Sequence, residues 1–246
     1  MWEVAAYVIA ALIVGISKTS VSGFGVLAVM LFALVMPAKE STAAVLLLLI
    51  VGDVVAVWRY REHGDWVLLR RLLPYVIPGI ALGALFLRVV DDDVLRRSIG
   101  AILAFFVIMQ IVLRLRTTRR VTPERAPRRH HLASAGYGTA AGFTTMTANA
   151  AGPVMTLYLL AAGVDKKAFV GTGAWYFLIV NVTKVPFSAA LGLFPKSTLL
   201  LDLALVPVVL LGAFIGTRLT NVLSQRAFEL LALGASVVSA VVLLVR

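Results

Sequence analysis

The sequence predicts an all-α polytopic membrane protein built from two homologous repeats of inverted topology. Of its 246 residues, 61% are hydrophobic and only 14% are charged, whereas soluble domains are about half apolar and a quarter charged. Long apolar runs follow one another along the chain, and polar, glycine-containing segments interrupt them at two matching places. These observations predict about eight hydrophobic spans, with a broken helix pair followed by three transmembrane helices in each half.

The charged residues divide the chain into three parts. Residues 1–113 form the first predicted repeat, residues 114–132 an Arg-rich linker, and residues 133–246 the second repeat. Because positive charge collects on the cytoplasmic loops of membrane proteins, the linker is predicted to be cytoplasmic. The same rule explains the net charge of +11, since the basic residues lie between apolar spans. We therefore expect contact with the lipid bilayer and no binding of nucleic acid.

A polar break interrupts the first apolar run between Ser17 and Gly25. It contains one lysine, four hydroxyl side chains and two glycines. A charged or unpaired polar group that faces hydrocarbon is costly, so the break must face protein or a water-filled cavity. We predict that it binds substrate through Ser17, Lys18, Thr19, Ser20, Ser22, Gly23 and Gly25.

The second break repeats the first. Aligning Gly15 with Gly142 (142 − 15 = 127) places Ser17 on Thr144 and Gly25 on Gly152, and such self-similarity predicts an internal duplication. Further along, Pro78 and Gly83 match Pro207 and Gly212 at a difference of 129 (212 − 83). The substrate-binding residues predicted in this half are Thr144, Thr145, Thr147, Asn149 and Gly152.

Polar residues also occur at matching places in the next span of each half. Asp53 corresponds to Asn181 (181 − 53 = 128), and both are predicted to serve coupling or gating. An intramembrane carboxylate is a candidate proton carrier, although a structural role remains open, either an ion pair with Lys18 or a helix cap. Lys18 is interpreted as the counter-charge for an anion, with snorkelling to the interface as the alternative. Lys184 is interpreted as an interface anchor.

The positive-inside rule decides between two topologies. If each break were one full crossing, the repeats would be parallel; if each were a returning pair of half-helices, the repeats would be inverted. With the linker inside, the parallel arrangement places four basic residues outside, whereas the inverted arrangement places all four inside: Lys166, Lys167, Arg218 and Arg226. Charge therefore favours the inverted arrangement.

These residues resemble the sulfite exporter TauE/SafE family of membrane transporters. The resemblance rests on the first break and on its repeat from Gly142 to Pro153. It also rests on Val51-Gly52-Asp53 with Trp58-Arg59-Tyr60-Arg61, and on the segment from Gly171 to Trp175 that leads to Asn181 and Lys184. The resemblance covers about residues 15–216. It implies export of sulfite or an organosulfur anion across the bacterial inner membrane.

The chemistry of the breaks also indicates anion transport. Glycine permits close backbone approach, hydroxyl and amide groups donate hydrogen bonds, and helix N-termini add partial positive charge. The alternatives are a passive anion channel, an importer of a small carboxylate or sulfur anion, and a membrane scaffold; assembly with a second copy stays open. The chain has no cysteine, and its three histidines, His63, His130 and His131, lie in predicted loops. We expect no enzyme activity, no metal and no cofactor.

Overall fold

The computed structural model describes residues 2–19, 25–116 and 131–222, and within these ranges the regular secondary structure is helical. A 3-10 turn, Arg61–His63, follows the third helix. The α-helices are α1 (Trp2–Thr19), α2 (Gly25–Val35), α3 (Ala38–Tyr60), α4 (Trp66–Val89), α5 (Asp92–Arg116), α6 (His131–Ala148), α7 (Gly152–Ala162), α8 (Lys166–Ala190) and α9 (Lys196–Val222).

In the described part of the chain, five helices are long and apolar enough to cross a membrane: α1, α3, α4, α8 and α9. The predicted class of a helical polytopic membrane protein is therefore confirmed. Both α2 and α7 contain 11 residues, so each is about 16 Å long and reaches about halfway across a hydrocarbon core. The count of about eight spans stays a prediction, and the last predicted span of the second half lies outside the described residues.

The α2 helix folds back along α1. The Tyr7 hydroxyl donates a hydrogen bond to the carbonyl of Val35 at 3.4 Å, and the rings of Tyr7 and Phe32 lie 5.3 Å apart. One continuous helix would separate Tyr7 from Val35 by about 42 Å. In the second half the rings of Tyr137 and Tyr158 lie 5.8 Å apart, although a continuous helix would separate them by about 30 Å. Each break therefore joins two helices that form a hairpin.

Glycines bring two pairs of helices into close contact. In the first pair, α1 packs on α9, and a Cβ added to Gly15 would lie 2.6 Å from the Ala213 nitrogen. In the second pair, α4 packs on α6, and a Cβ added to Gly142 would lie 2.8 Å from the Ile80 nitrogen. Real Cβ atoms do not approach backbone so closely, so a methyl group at either position would force the helices apart.

The contacts in these two pairs match residue by residue. Gly212 and Gly216 lie against Leu12 and Ile16, and Gly79 and Gly83 lie against Thr139 and Phe143. The residue numbers at matching contacts differ by 127 between α1 and α6 (139 − 12) and by 133 between α4 and α9 (212 − 79). Both pairs run parallel, because residue numbers rise together along the contact. The sequence alignment that pairs Pro78 with Pro207 has an offset of 129 and therefore does not superimpose the helix contacts of α4 on those of α9. Glycines, and not prolines, determine where these helices touch.

Aspartate side chains cap the N-terminal ends of several helices. Asp65 Oδ1 accepts from the backbone nitrogens of Val67 and Leu68 at the start of α4. Asp91 Oδ1 accepts from Val94 N at 2.7 Å at the start of α5. At the start of α8 the backbone N–H groups of Ala168 and Lys167 donate to Asp165 and lower the pKa of its carboxyl. These carboxylates satisfy N–H groups that have no partner within the helix.

Candidate functional site

A buried ion pair links α1 to α3. Lys18 Nζ lies 2.6 Å from Asp53 Oδ1, and only 1% of the Asp53 side chain and 11% of the Lys18 side chain are exposed. Gly52 makes room for the lysine, because a Cβ at this position would lie 2.8 Å from Lys18 Cγ. The ammonium also lies 4.5 Å from the centre of the Phe177 ring, a favourable position for a cation. The structure therefore shows the Lys18–Asp53 ion pair that the sequence analysis left open and does not show snorkelling, while the role of Lys18 as counter-charge for an anion stays a prediction.

The ion pair extends into the second half of the chain through Asn181. The Asn181 side-chain nitrogen donates to Asp53 Oδ2 at 2.6 Å, and both residues are buried. The α3 and α8 helices that carry them run antiparallel, since Gly64, after the end of α3, lies against Trp175, near the start of α8. The two residues that the sequence places at equivalent positions thus contact each other directly.

Lys184 is buried beside this contact, so its interpretation as an interface anchor is wrong. Its exposed fraction is 1%. Its ammonium donates to Asn149 Oδ1 at 2.5 Å, to Thr145 Oγ1 at 3.3 Å and to Asn181 Oδ1 at 3.4 Å. The spacing of three residues between Asn181 and Lys184 on one helix is the signal that sequence reasoning missed, because residues at i and i+3 share a helix face.

Asn149 shapes the second break. Its φ is +50°, in the left-handed region that ends many helices and that few non-glycine residues adopt. Its side-chain nitrogen donates to the carbonyl of Thr42 near the start of α3 at 3.0 Å, while its side-chain oxygen accepts from Lys184. One side chain therefore connects the break to both α3 and α8.

These contacts form one chain of side chains, which we call the midplane cluster: Lys18, Asp53, Asn181, Lys184, Asn149 and Thr145. With both ammonium groups protonated and the carboxylate ionised, its net charge is +1 (2 − 1). Such charge is rare inside membrane proteins and marks substrate or ion pathways. In the part of the chain that the structure describes, no group of three or more histidine, aspartate or glutamate side chains is placed to hold a metal ion.

The other predicted hydroxyl residues donate to backbone carbonyls instead. Ser17 Oγ donates to Val14 O at 2.8 Å, and Thr19 Oγ1 donates to Ala213 O at 2.9 Å. Thr144 and Thr147 donate to carbonyls four residues earlier on α6, at 2.8 and 2.9 Å. The hydroxyl groups of these four residues therefore donate to the backbone rather than to side chains of the midplane cluster. The predictions for Ser20, Ser22 and Gly23 lie outside the described residues.

The two remaining predicted glycines begin the returning helices and border open space. Among the described residues, a Cβ added to Gly152 would meet no atom within 4 Å. Within the same residues, one added to Gly25 would meet Ser17 Oγ alone, at 3.6 Å, which is an ordinary contact. Unlike Gly15 and Gly142, these glycines are not required for helix packing. The described residues thus leave space beside the start of α2 and the start of α7.

Comparison with known proteins places the chain in a family. The family model described as "Sulfite exporter TauE/SafE" matches residues 7–243, which is nearly the whole chain. No curated protein matches the chain, and no solved structure does. The matched region includes both breaks and every residue of the midplane cluster. The chain therefore belongs to the sulfite exporter TauE/SafE family of membrane transporters for sulfur-containing anions.

Proposed function

We propose that the chain is a secondary transporter that exports a small sulfur-containing anion, sulfite or an organosulfonate, across the bacterial inner membrane. The observation that carries this proposal is the midplane cluster. It holds two lysines and one carboxylate in the interior of an apolar helical protein. The family match supports the class of substrate.

The charge of the cluster suits an anion. Two ammonium groups and one carboxylate leave an excess of positive charge in surroundings of low dielectric constant, where a bound anion gains more than it would in water. Amide and hydroxyl groups around the Lys184 ammonium provide neutral partners. Binding through few charges and several neutral groups also allows release, which transport requires.

Inverted repeats are part of the proposal. The return of α2 along α1 and of α7 along α6 supports half-helix pairs that enter and leave on one side. Such pairs leave three crossings after each break, and an odd number of crossings inverts the second repeat. With the Arg-rich linker in the cytoplasm, Lys167 and Arg218 then lie on the cytoplasmic side, as the positive-inside rule favours.

Alternating access would break and re-form the contact between Asp53 and Asn181. This hydrogen bond joins α3 of the first half to α8 of the second. Rocking of the repeats around the cluster would expose the bound anion first to one side and then to the other. Protonation of Asp53 would weaken its attraction to Lys18 and provides a route to proton coupling.

The test is anion flux into proteoliposomes, with sulfite, sulfoacetate and small carboxylates as substrates. Wild type and Lys18→Ala are compared with Lys196→Ala, which changes an exposed lysine at the start of α9. We expect saturable flux of a sulfur-containing anion that Lys18→Ala abolishes and Lys196→Ala preserves. No flux of any anion would refute the proposal. Flux insensitive to a pH gradient and to Asp53→Asn would indicate a passive channel.

A further inference from the structure

We propose that Lys184, and not Lys18, provides the positive charge that binds the transported anion, an assignment that rests on the proposed function. The sequence singled out Lys18 as the counter-charge, because it lies in the first break. The structure gives the two lysines different partners. Lys18 faces a carboxylate, whereas the acceptors of Lys184 among the described residues are neutral oxygens.

The charge of Lys18 is already compensated. Its ammonium lies 2.6 Å from an Asp53 oxygen and also lies over the Phe177 ring. An incoming anion would have to compete with a carboxylate that is fixed by a second hydrogen bond from Asn181. Separating a buried ion pair leaves one uncompensated charge, which is strongly unfavourable. The pair is therefore better suited to holding α1, α3 and α8 together than to binding substrate.

The charge of Lys184 has no such partner. Among the described residues, no carboxylate oxygen lies within 4.0 Å of its Nζ. Three oxygen atoms accept hydrogen bonds from the ammonium, but they do not neutralise its charge. Two of these hydrogen bonds are long, at 3.3 and 3.4 Å. Hydrogen bonds of that length are weak. Anion oxygens at shorter distances would replace Thr145 and Asn181 and form stronger, charge-assisted bonds.

Space for the anion lies near the same part of the chain. Asn149, which accepts the shortest hydrogen bond of Lys184, comes three residues before Gly152. Among the described residues, no atom lies within 4 Å of the position that a Gly152 side chain would take. Lys184 therefore combines burial, uncompensated charge and replaceable partners close to the second break.

Equilibrium binding of sulfite and sulfoacetate to the purified protein in detergent tests this assignment separately from transport. One variant, Lys184→Gln, removes the charge but keeps an amide that donates to Asn149. The matched variant is Lys196→Gln, which makes the same substitution at an exposed lysine outside the cluster, at the start of α9. Lys184→Arg restores the charge. Thermal unfolding of each variant verifies that it folds.

We expect Lys184→Gln to raise the Kd at least about tenfold, while Lys184→Arg and Lys196→Gln stay within about threefold of wild type. Loss of binding in a folded Lys184→Arg variant, which keeps the charge, would overturn the assignment even if Lys184→Gln proves unstable. Unchanged binding by Lys184→Gln would overturn it as well. Wild type that binds neither anion would instead refute the proposed function.

Discussion

Asn181 donates a 2.6 Å hydrogen bond to Asp53, and the predicted repeat pairs the same two positions (181 − 53 = 128). One position of the predicted repeat therefore carries a carboxylate in the first half and its neutral amide counterpart in the second. Two carboxylates at this distance would repel each other, whereas an amide donates to a carboxylate. This difference between the halves lets one ionised group serve as the partner of Lys18.

Removing Lys18 alone should destabilise the protein more than removing the ion pair. Lys18→Met leaves Asp53 buried without a counter-ion, and breaking a buried pair in this way costs about 3–5 kcal/mol. The double variant Lys18→Met with Asp53→Leu leaves no unpaired charge and should recover most of that loss. Chemical unfolding in detergent measures the free energy of unfolding of both variants, and Lys196→Met is the control for loss of an exposed lysine. Equal stability of the single and double variants would contradict the prediction.

Asn149 should tolerate glycine better than alanine. Its φ of +50° costs a residue with a Cβ about 1–2 kcal/mol, and glycine avoids that cost. Both substitutions remove the hydrogen bonds to Thr42 and Lys184. We therefore expect Asn149→Gly to be more stable than Asn149→Ala by about 1 kcal/mol, with anion flux reduced in both. Thermal unfolding and flux are measured on the same samples, and a more stable alanine variant would refute the backbone argument.

Gly152→Ala should change selectivity rather than stability. Its methyl group would enter open space, so we expect the midpoint of thermal unfolding to stay the same. If that space admits the anion, the flux of the larger sulfoacetate should fall more than that of sulfite. Gly136→Ala is the matched control, since a Cβ there also meets no atom of the described residues within 4 Å. By contrast, Gly142→Ala should destabilise by about 1–3 kcal/mol through overpacking. Equal loss of both fluxes in Gly152→Ala would argue against a role in size selection.

Thiol labelling tests the inverted topology, because the chain contains no cysteine. Lys167→Cys and Lys196→Cys place single thiols at exposed positions near the start of α8 and at the start of α9. The inverted arrangement puts the first in the cytoplasm and the second outside. An impermeant reagent applied to intact cells should therefore label Lys196→Cys alone, and lysed cells provide the control for reactivity. Labelling of Lys167→Cys in intact cells would overturn the arrangement.

The sequence predicted the helical membrane class and the family from hydropathy and from the glycine-containing breaks. It also identified most of the midplane cluster, because polar residues in apolar runs are few. It misjudged Lys184, since its environment depends on α6 and on Asn149, residues that are distant in sequence. It assigned hydroxyl groups such as Ser17 to the site, but a helix offers nearby carbonyls that accept their hydrogen bonds. Which donors remain for a ligand depends on packing that no single segment encodes.

The close packing of α1 on α9 has a consequence for how the protein is made. Thr19 bonds to a carbonyl 194 residues later in the chain. At about 5–20 residues per second, the ribosome needs about 10–40 s to synthesise the chain that separates the two partners. During that time Gly15 of α1 and the ammonium of Lys18 are in the membrane without α9 beside them. Early pairing of Lys18 with Asp53 on α3, only 35 residues away (53 − 18), would shield that charge until synthesis is complete.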